Sequence, residues 1–329
     1  MTIALVCTEL IGEDGLELRE MPAAPLTDDA IRIAVRAASV NYPDVLMIRG
    51  QYQASSTPPF VVGTECAGVI TETGPAVAGF APGDRVLAMT GAGAFATEVV
   101  VKPSRGQVHH IPDSMPWAEA TSFNLTYGTA YHGLVRRGQL RAGETVLVTG
   151  ASGGCGSAAV QVARAVGATV IAVAGGTAKC DLARELGADV VIDHTQVASL
   201  STAVKAATAD RGVDVLFDPV GGEDIREAMR CLAWGGRYLV IGFLGGIPVV
   251  RLNQAVLKNI AFVGVAYGMA AILDPKANAE DWAQLFAWYD QGLVRPSIGQ
   301  RFALADGIDA LRAVYERRAI GKVVIEMPA

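Results

Sequence analysis

This chain has little of what marks several common function classes. Its 329 residues hold five cysteines, Cys7, Cys66, Cys155, Cys180 and Cys231, none at the paired spacing of a metal knuckle. An odd number of scattered cysteines in a long chain reads as reduced thiols and a cytoplasmic setting, not as a disulfide framework. Lys and Arg number 27 against 33 Asp and Glu, a net charge of −6, and basic residues come at most in pairs, as at Arg136-Arg137 and Arg317-Arg318. That excludes a basic face for nucleic acid or acidic lipid. No apolar run reaches membrane-spanning length. The opening segment Thr2–Cys7 reads as a strand and lacks the charged start and small-residue cleavage site of a signal peptide. Internal repeats and low-complexity stretches are missing too.

What is plentiful is apolar residues, 51% of the chain, and glycine, at 37 positions. The length suits two domains of ordinary size. The most informative stretch is TVLVTGASGGCGSAA, from Thr145 to Ala159. A short β-type run stops at Thr149-Gly150, a glycine-dense turn follows, and a helical pattern of small and apolar residues opens behind it. A strand, a tight turn and a helix N-terminus make an anion site, because the free N–H groups and the helix dipole favour a pyrophosphate. The usual G-x-G-x-x-G spacing appears as Ala151-x-Gly153-x-x-Gly156, with Ala at the first position and Gly150 just before it. Gly153 would let the backbone approach the phosphates, and Gly156 would let helix and strand pack closely.

The context supports a cofactor site. Apolar runs at Thr169–Ala174, Ala188–Ile192, Val213–Phe217, Arg237–Ile241 and Ile260–Val265 alternate with helical patterns such as Lys179–Leu186. That predicts a doubly wound parallel sheet of an α/β fold, covered on both faces. The run Thr169–Ala174 ends at Gly175-Gly176, where an acid would bind the ribose 2′-hydroxyl of NAD and repel the 2′-phosphate of NADP. With that repulsion absent, NADPH is favoured over NADH. Lys179 is either a phosphate contact or a solvated helix lysine.

The N-terminal third has a different texture. Short β-type runs, Ile31–Val35, Phe60–Gly63, Ala67–Ile70 and Arg85–Ala88, are punctuated by Gly and Pro, as at Pro82-Gly83-Asp84. The C-terminus returns to a helix, Asp306–Arg318, and a strand, Lys322–Glu326, that rejoins the first domain. The expected organisation is a discontinuous β-rich domain, 1–122 with 270–329, around a dinucleotide-binding domain, 123–269. Tyr267–Ala279 reads as a loop of small residues.

The segments Asn41-Tyr42-Pro43-Asp44, Gly50-Gln51-Tyr52, Pro59 to Val69, Pro82 to Val86, Tyr127 to Tyr131, the phosphate turn and Asp218-Pro219-Val220-Gly221-Gly222 together carry a resemblance. Over nearly its full length the chain resembles the NADPH:quinone oxidoreductases (zeta-crystallin-like) of the medium-chain dehydrogenase/reductase superfamily. The resemblance implies a GroES-like catalytic domain beside a Rossmann-type domain, and a homodimer through an edge strand near Ile260–Val265.

The same superfamily contains zinc alcohol dehydrogenases, which carry Cys where Asn41 stands and Gly-His-Glu where Gly63-Thr64-Glu65 stands. Catalytic zinc needs Cys, His or carboxylate donors. Glu65 alone cannot hold the ion, and Met89–Lys102 lacks the cysteines of a structural zinc lobe. His109-His110 has no cysteine partners and reads as surface or core. Zinc is therefore not expected.

By resemblance, Asn41 and Tyr52 face the nicotinamide and substrate, and Thr129 hydrogen-bonds near the nicotinamide end. Ala151, Ser152, Gly153, Gly154, Cys155 and Gly156 form the pyrophosphate turn, with Cys155 as a small filler. Gly175, Lys179 and Arg317 surround the 2′-phosphate, and His194 stands beside the adenosine ribose. Val220, Phe243 and Leu244 pack on the nicotinamide, and Lys322 lies near the cofactor cleft. Each has a plainer reading: Asn41 bonding its own loop, Tyr52 a half-buried strand tyrosine, Asp44 a loop support. Without a Lewis acid, the expected chemistry is hydride delivery from NADPH to an acceptor that is already electron-poor, a quinone or an enone. An enoyl-thioester reductase and an NADPH-binding structural or stress protein with little catalysis are the alternatives.

Overall fold

The computed structural model describes residues 1–52, 56–105, 107–223 and 225–328. The chain forms two units, 1–125 with 296–329, and 126–295. Chain order through the first segment is β1 (Thr2–Cys7), β2 (Leu16–Met21), β3 (Ile31–Val40), α1 (Tyr42–Met47), β4 (Phe60–Val61), β5 (Glu65–Thr73), β6 (Arg85–Met89), β7 (Glu98–Val101), β8 (Val108–His110) and α2 (Trp117–Tyr131). The division between the units falls inside α2.

The second unit holds β9 (Thr145–Val148), α3 (Gly154–Val166), β10 (Thr169–Ala174), α4 (Thr177–Glu185), β11 (Val190–Asp193), α5 (Leu200–Ala207), β12 (Val213–Asp218), α6 (Ile225–Cys231), β13 (Leu232–Val240), α7 (Asn253–Leu257), β14 (Ala261–Gly264), α8 (Tyr267–Leu273) and α9 (Pro275–Asp290). The chain returns to the first unit with β15 (Ile298–Ala303), α10 (Gly307–Tyr315) and β16 (Lys322–Glu326).

The first unit is built on a sheet of order β15-β16-β3-β5-β6-β8, with β7 also on β3, and a small sheet β2-β1-β4. Pairing is antiparallel except for β15 with β16. Alternate apolar residues of β3, Ile31, Ile33 and Val35, enter one core with Leu5, Ile48, Val86 and Phe95. The second unit is a six-stranded parallel sheet, order β11-β10-β9-β12-β13-β14. Its central strands are apolar throughout because helices cover both faces. All four residues of β9 are buried, as are five of the six in β10. This is the Rossmann-type sheet expected, with the strand order reversing between β9 and β12.

Three expectations are corrected. Residues 270–295 belong to the second unit, not to the β-rich one. Tyr267–Ala279 is not a loop: α8 ends at Leu273, Asp274 caps α9 by accepting the Ala277 N–H at 3.0 Å, and Pro275 opens that helix. Small residues hid a helix start that Asp-Pro encodes. The two helices pack on residues that follow the phosphate-domain boundary. A Cβ on Gly128 would lie 2.3 Å from the Tyr267 ring, and Arg136 pairs with Asp281 at 2.7 Å and Glu280 at 3.2 Å. The third correction is β13, which starts at Leu232 and not at Arg237, with a register irregularity against β12.

Candidate active site

In the second unit, β9 leads into Thr149 and Gly150, whose φ of +57 suits glycine. Gly153 donates to the Gly150 carbonyl at 3.0 Å and caps α3 in an extended conformation. The first turn of a helix presents N–H groups without intrahelical acceptors. Residues 151–156 supply that turn, with Ala151, Ser152 and Gly156 buried and Gly153, Gly154 and Cys155 half-buried. A Cβ on Gly156 would sit 2.1 Å from the Gly150 carbonyl oxygen, so helix and strand approach as closely as the glycine spacing implies.

This turn lies at the carboxyl ends of the strands, beside the point where strand order reverses, which is where open α/β sheets bind ligands. The loops after β12 and β13 are laced together there. Gly245 N–H donates to the Val220 carbonyl at 2.7 Å, Leu244 to Pro219 at 3.3 Å, and Gly222 to Gly246 at 2.8 Å. Val220 is thereby brought close to the phosphate turn, where a Cβ on Gly150 would meet Val220 Cγ2 at 3.2 Å, and Phe243 and Leu244 lie against the Pro219–Gly222 loop. Thr129 is a buried residue of α2.

Asp218 holds this corner. Its Oδ1 accepts the Thr149 hydroxyl at 2.5 Å and the Val220 N–H at 2.9 Å, Gly221 N–H donates to either oxygen at 3.2 Å, and Tyr238 donates its phenol to Oδ2. Burial, first, and the Asp218 charge hold the Tyr238 phenol far above its usual range, so it remains a donor. Asp218 stands in the motif Asp218-Pro219-Val220-Gly221-Gly222, which on sequence gives it no role of its own. The available signal was a carboxylate closing the apolar run Val213–Phe217.

At the other end, His194 donates its N–H to the Ala174 carbonyl at 3.0 Å. Its ring crosses the end of β10 so closely that a Cβ on Gly175 would lie 2.6 Å from Nε2. Gly175 and His194 are thus neighbours, and Lys179 lies in the first turn of α4, half-buried. Arg317 belongs to the first unit, exposed after α10 with φ +58.

In the first unit, strand register assembles a charged cluster. β16 pairs with β3 so that Val323 faces Val40, and β3 pairs with β5 so that Ala38 faces Cys66. One step further along each strand lie Lys322, Asn41 with Ser39, and Glu65. Lys322 Nζ donates to Asn41 Oδ1 at 2.7 Å, Glu65 Oε1 at 3.3 Å and the Val40 carbonyl at 3.4 Å. Asn41 Nδ2 donates to Glu65 Oε1 at 2.7 Å, and Ser39 donates to the same oxygen. Glu65 Oε2 accepts the Leu125 N–H at 2.7 Å. An ammonium on one side and a carboxylate on the other fix which way the Asn41 amide points. Lys322, grouped with the cofactor residues on sequence, has its ammonium engaged within this cluster.

Asn41 also begins α1, and its N–H donates to Asp44 Oδ2 at 2.7 Å, the loop-supporting role read from sequence. Burial pushes the Asp44 carboxyl up to about 7; the Asn41 N–H and the Thr64 hydroxyl oppose the rise, the Glu65 charge adds to it and Lys322 lowers it. Tyr52 is half-buried, and burial followed by the Asp44 charge raises its phenol above the usual value.

The donors around Glu65 do not fit a catalytic zinc. The neighbours are an amide, two hydroxyls and an ammonium, and the ammonium already balances the carboxylate. Among the described residues no three His, Cys, Asp or Glu side chains converge. His109 is half-buried in β8 with its pKa pushed down to about 3 by burial and His110, whereas His110 is exposed and stacks on Phe80 at 4.7 Å. The glycine turn, by contrast, fits a dinucleotide: it opens α3 with Gly153 at the N-cap, and Gly156 packs against the Gly150 carbonyl, so first-turn N–H groups are presented at the strand end.

Residues 154–291 match the family described as zinc-binding dehydrogenase, and residues 27–113 match the alcohol dehydrogenase GroES-like domain. The chain is 36% identical over 326 residues to quinone oxidoreductase-like protein 2 of the mouse (Mus musculus), with 98% of this chain and 92% of that protein covered. A mycobacterial protein solved in complex with NADPH is similar in structure at a TM-score of 0.92 and 26% identity, covering 99% of this chain and 100% of that one. CurK enoyl reductase is similar at 0.88 and 26%, with 99% of each chain covered. Among the described residues no helix is long and apolar enough to cross a membrane.

Proposed function

The chain belongs to the quinone oxidoreductase-like medium-chain dehydrogenases/reductases, and on that premise we propose that it is a zinc-free reductase delivering hydride from NADPH to a quinone or an α,β-unsaturated carbonyl compound. The observation that carries this reading is the Asn41–Glu65–Lys322 cluster, in which a lysine ammonium and not a metal balances the buried carboxylate. Bound NADPH would supply the hydride. The chain's own residues then have limited work. The N–H groups of Ser152–Gly156 bind the pyrophosphate, and Gly175, Lys179 and His194 receive the adenosine 2′-phosphate end. Val220, Phe243, Leu244 and Thr129 exclude water around the nicotinamide. Asn41 and Tyr52 orient the acceptor, with Lys322 locking the Asn41 amide. A quinone or enone needs only such positioning and modest support for the developing oxyanion. The proton that completes the reduction comes from solvent.

A second reading, an enoyl-thioester reductase, is favoured by the structural likeness to CurK enoyl reductase. Steady-state NADPH oxidation against quinones, enones and enoyl thioesters, in chelator, separates the two. Turnover of quinones or enones with no bound metal is expected. Activity confined to thioesters selects the second reading. Stoichiometric zinc whose removal abolishes activity overturns the zinc-free one, and tight nucleotide binding without any turnover leaves a structural protein. Lys179→Ala should weaken NADPH by about 1.5–3 kcal/mol, the range for a charge-assisted hydrogen bond, and leave NADH nearly unchanged. Equal losses for both cofactors sink the NADPH assignment.

We also propose a homodimer in a cytoplasmic setting. β14 is the sheet's edge strand, and the exposed Val249, Leu252, Val256 and Leu257 precede it. An unpaired apolar edge is a liability that two-fold pairing removes. None of the five cysteines forms a disulfide. Sedimentation at micromolar concentration should give twice the chain mass, and cell fractionation should place the protein with the cytosol.

A further inference from the structure

The corner that receives the adenosine 2′ substituent carries an anion of its own. β10 and β11 are parallel neighbours, and Ala174 stands opposite Asp193. That register carries the Asp193 carboxylate past the end of β10, where its Oδ1 accepts the Gly176 N–H at 3.1 Å. The same oxygen accepts the Thr195 N–H at 2.9 Å and the Thr195 hydroxyl at 2.7 Å. These bonds, with the Thr195 hydroxyl first, hold the carboxyl below its usual pKa, so it is ionised at neutral pH. Gly176 is the residue before α4, so the carboxylate already occupies a donor at the mouth of the helix whose first turn carries Lys179. His194, next in sequence, lies against Gly175. The acid that the end of β10 lacks is supplied from the end of β11.

We infer that Asp193 is a specificity-determining residue: its carboxylate takes the Gly176 N–H that a 2′-phosphate would otherwise meet, and it opposes the charge of that phosphate. The inference rests on the reading of the second unit as a nicotinamide-dinucleotide site. A 2′-hydroxyl carries no charge and can donate to a carboxylate, whereas a 2′-phosphate is a dianion near neutral pH and cannot. Lys179 and Asp193 therefore act in opposite directions on one quantity, the ratio of the NADH to the NADPH dissociation constant. The corner is tempered in its preference, not built for the phosphate alone.

Asp193→Asn tests this, because the amide keeps an acceptor oxygen for Gly176 and Thr195 and removes the charge. Dissociation constants for NADPH and NADH would be measured by titration calorimetry on the full chain, at low and high salt. The NADH/NADPH ratio should rise by about three- to tenfold at low salt, as expected for removing one like charge at a solvated site, and the gain should shrink at high salt. Asp193→Ser, a shorter uncharged acceptor, should move the ratio in the same direction and guards against a folding defect in one variant. A ratio unchanged within about twofold, or a ratio that falls, overturns the inference. Equal weakening of both nucleotides also overturns it and leaves Asp193 as a turn support. The wild-type ratio tests the NADPH assignment and the change on substitution tests Asp193, so either can fail alone. A wild-type chain that binds neither dinucleotide removes both.

Discussion

The first unit holds charge on side chains and buries it: Glu65 is 0% and Lys322 4% exposed, and each relies on the other and on Asn41. The second unit is arranged for an external anion and offers backbone in place of side chains. Its phosphate turn is glycine-dense, its two flanking loops are joined carbonyl to N–H, and the Asp218 carboxylate serves those loops. The difference teaches where each unit is fragile. A buried ion pair fails when one partner is removed, because the other is left charged in a low dielectric. A backbone cradle fails when a side chain is added, because nothing in it can yield.

The largest expected effect therefore lies in the first unit. Lys322→Met leaves the Glu65 carboxylate without its counter-ion and should destabilise the protein by about 3–5 kcal/mol, read by chemical denaturation. The double substitution Glu65→Gln, Lys322→Met should recover more than half of that loss, since a neutral amide needs no ammonium. A single substitution costing less than about 1 kcal/mol, the level of an exposed pair, would break the comparison.

Next is the second unit, where two glycines can be set against each other. Gly156→Ala drives a Cβ to 2.1 Å from the Gly150 carbonyl, backbone against backbone. It should cost about 1–3 kcal/mol or more, with dinucleotide affinity lost alongside. Gly175→Ala places its Cβ at 2.6 Å from His194 Nε2, but that imidazole is exposed and can swing aside. Its stability cost should stay within about 0.5 kcal/mol. Thermal melts and nucleotide titrations on the pair check the contrast, and equal costs would mean the turn is not held by backbone contact.

The smallest effect is expected at Tyr52. Burial and the Asp44 charge raise its phenol, which makes it a poor proton donor. Tyr52→Phe should lower enone turnover less than about tenfold, against the 10²–10⁴ that removing a general acid costs, with quinone turnover changed no more. A loss of 10² or greater confined to enones, with cofactor affinity intact, would make Tyr52 the acid and give the first unit a catalytic group.

Element identity was legible in the residues wherever periodicity was strong. Thr2–Cys7, Thr169–Ala174 and Lys322–Glu326 form strands at the bounds read from sequence. The same holds for the phosphate turn, because a turn, its glycines and the helix behind it are contiguous and their steric demands are local. The helix at Tyr267–Leu273 and the first residues of the helix Pro275–Asp290 were obscured by small residues that suit a loop or a helix equally. Asp193 is not legible in the sequence because an acid near the cofactor is expected at the end of β10, while this one arrives from the neighbouring strand.

By itself, then, the sequence determined which segments are strands or helices, that a glycine turn opens a helix behind a buried strand, and that Cys and His donors are missing at positions 41 and 64. Only the tertiary structure decided that Lys322 meets Glu65 across 257 residues, that Asp218 gathers Thr149 and Tyr238, and that Asp193 reaches Gly176. The reason is physical. Periodicity and turn sterics act between residues close along the chain, whereas those side-chain pairings depend on strand order and register, which are chosen by the packing of the whole sheet.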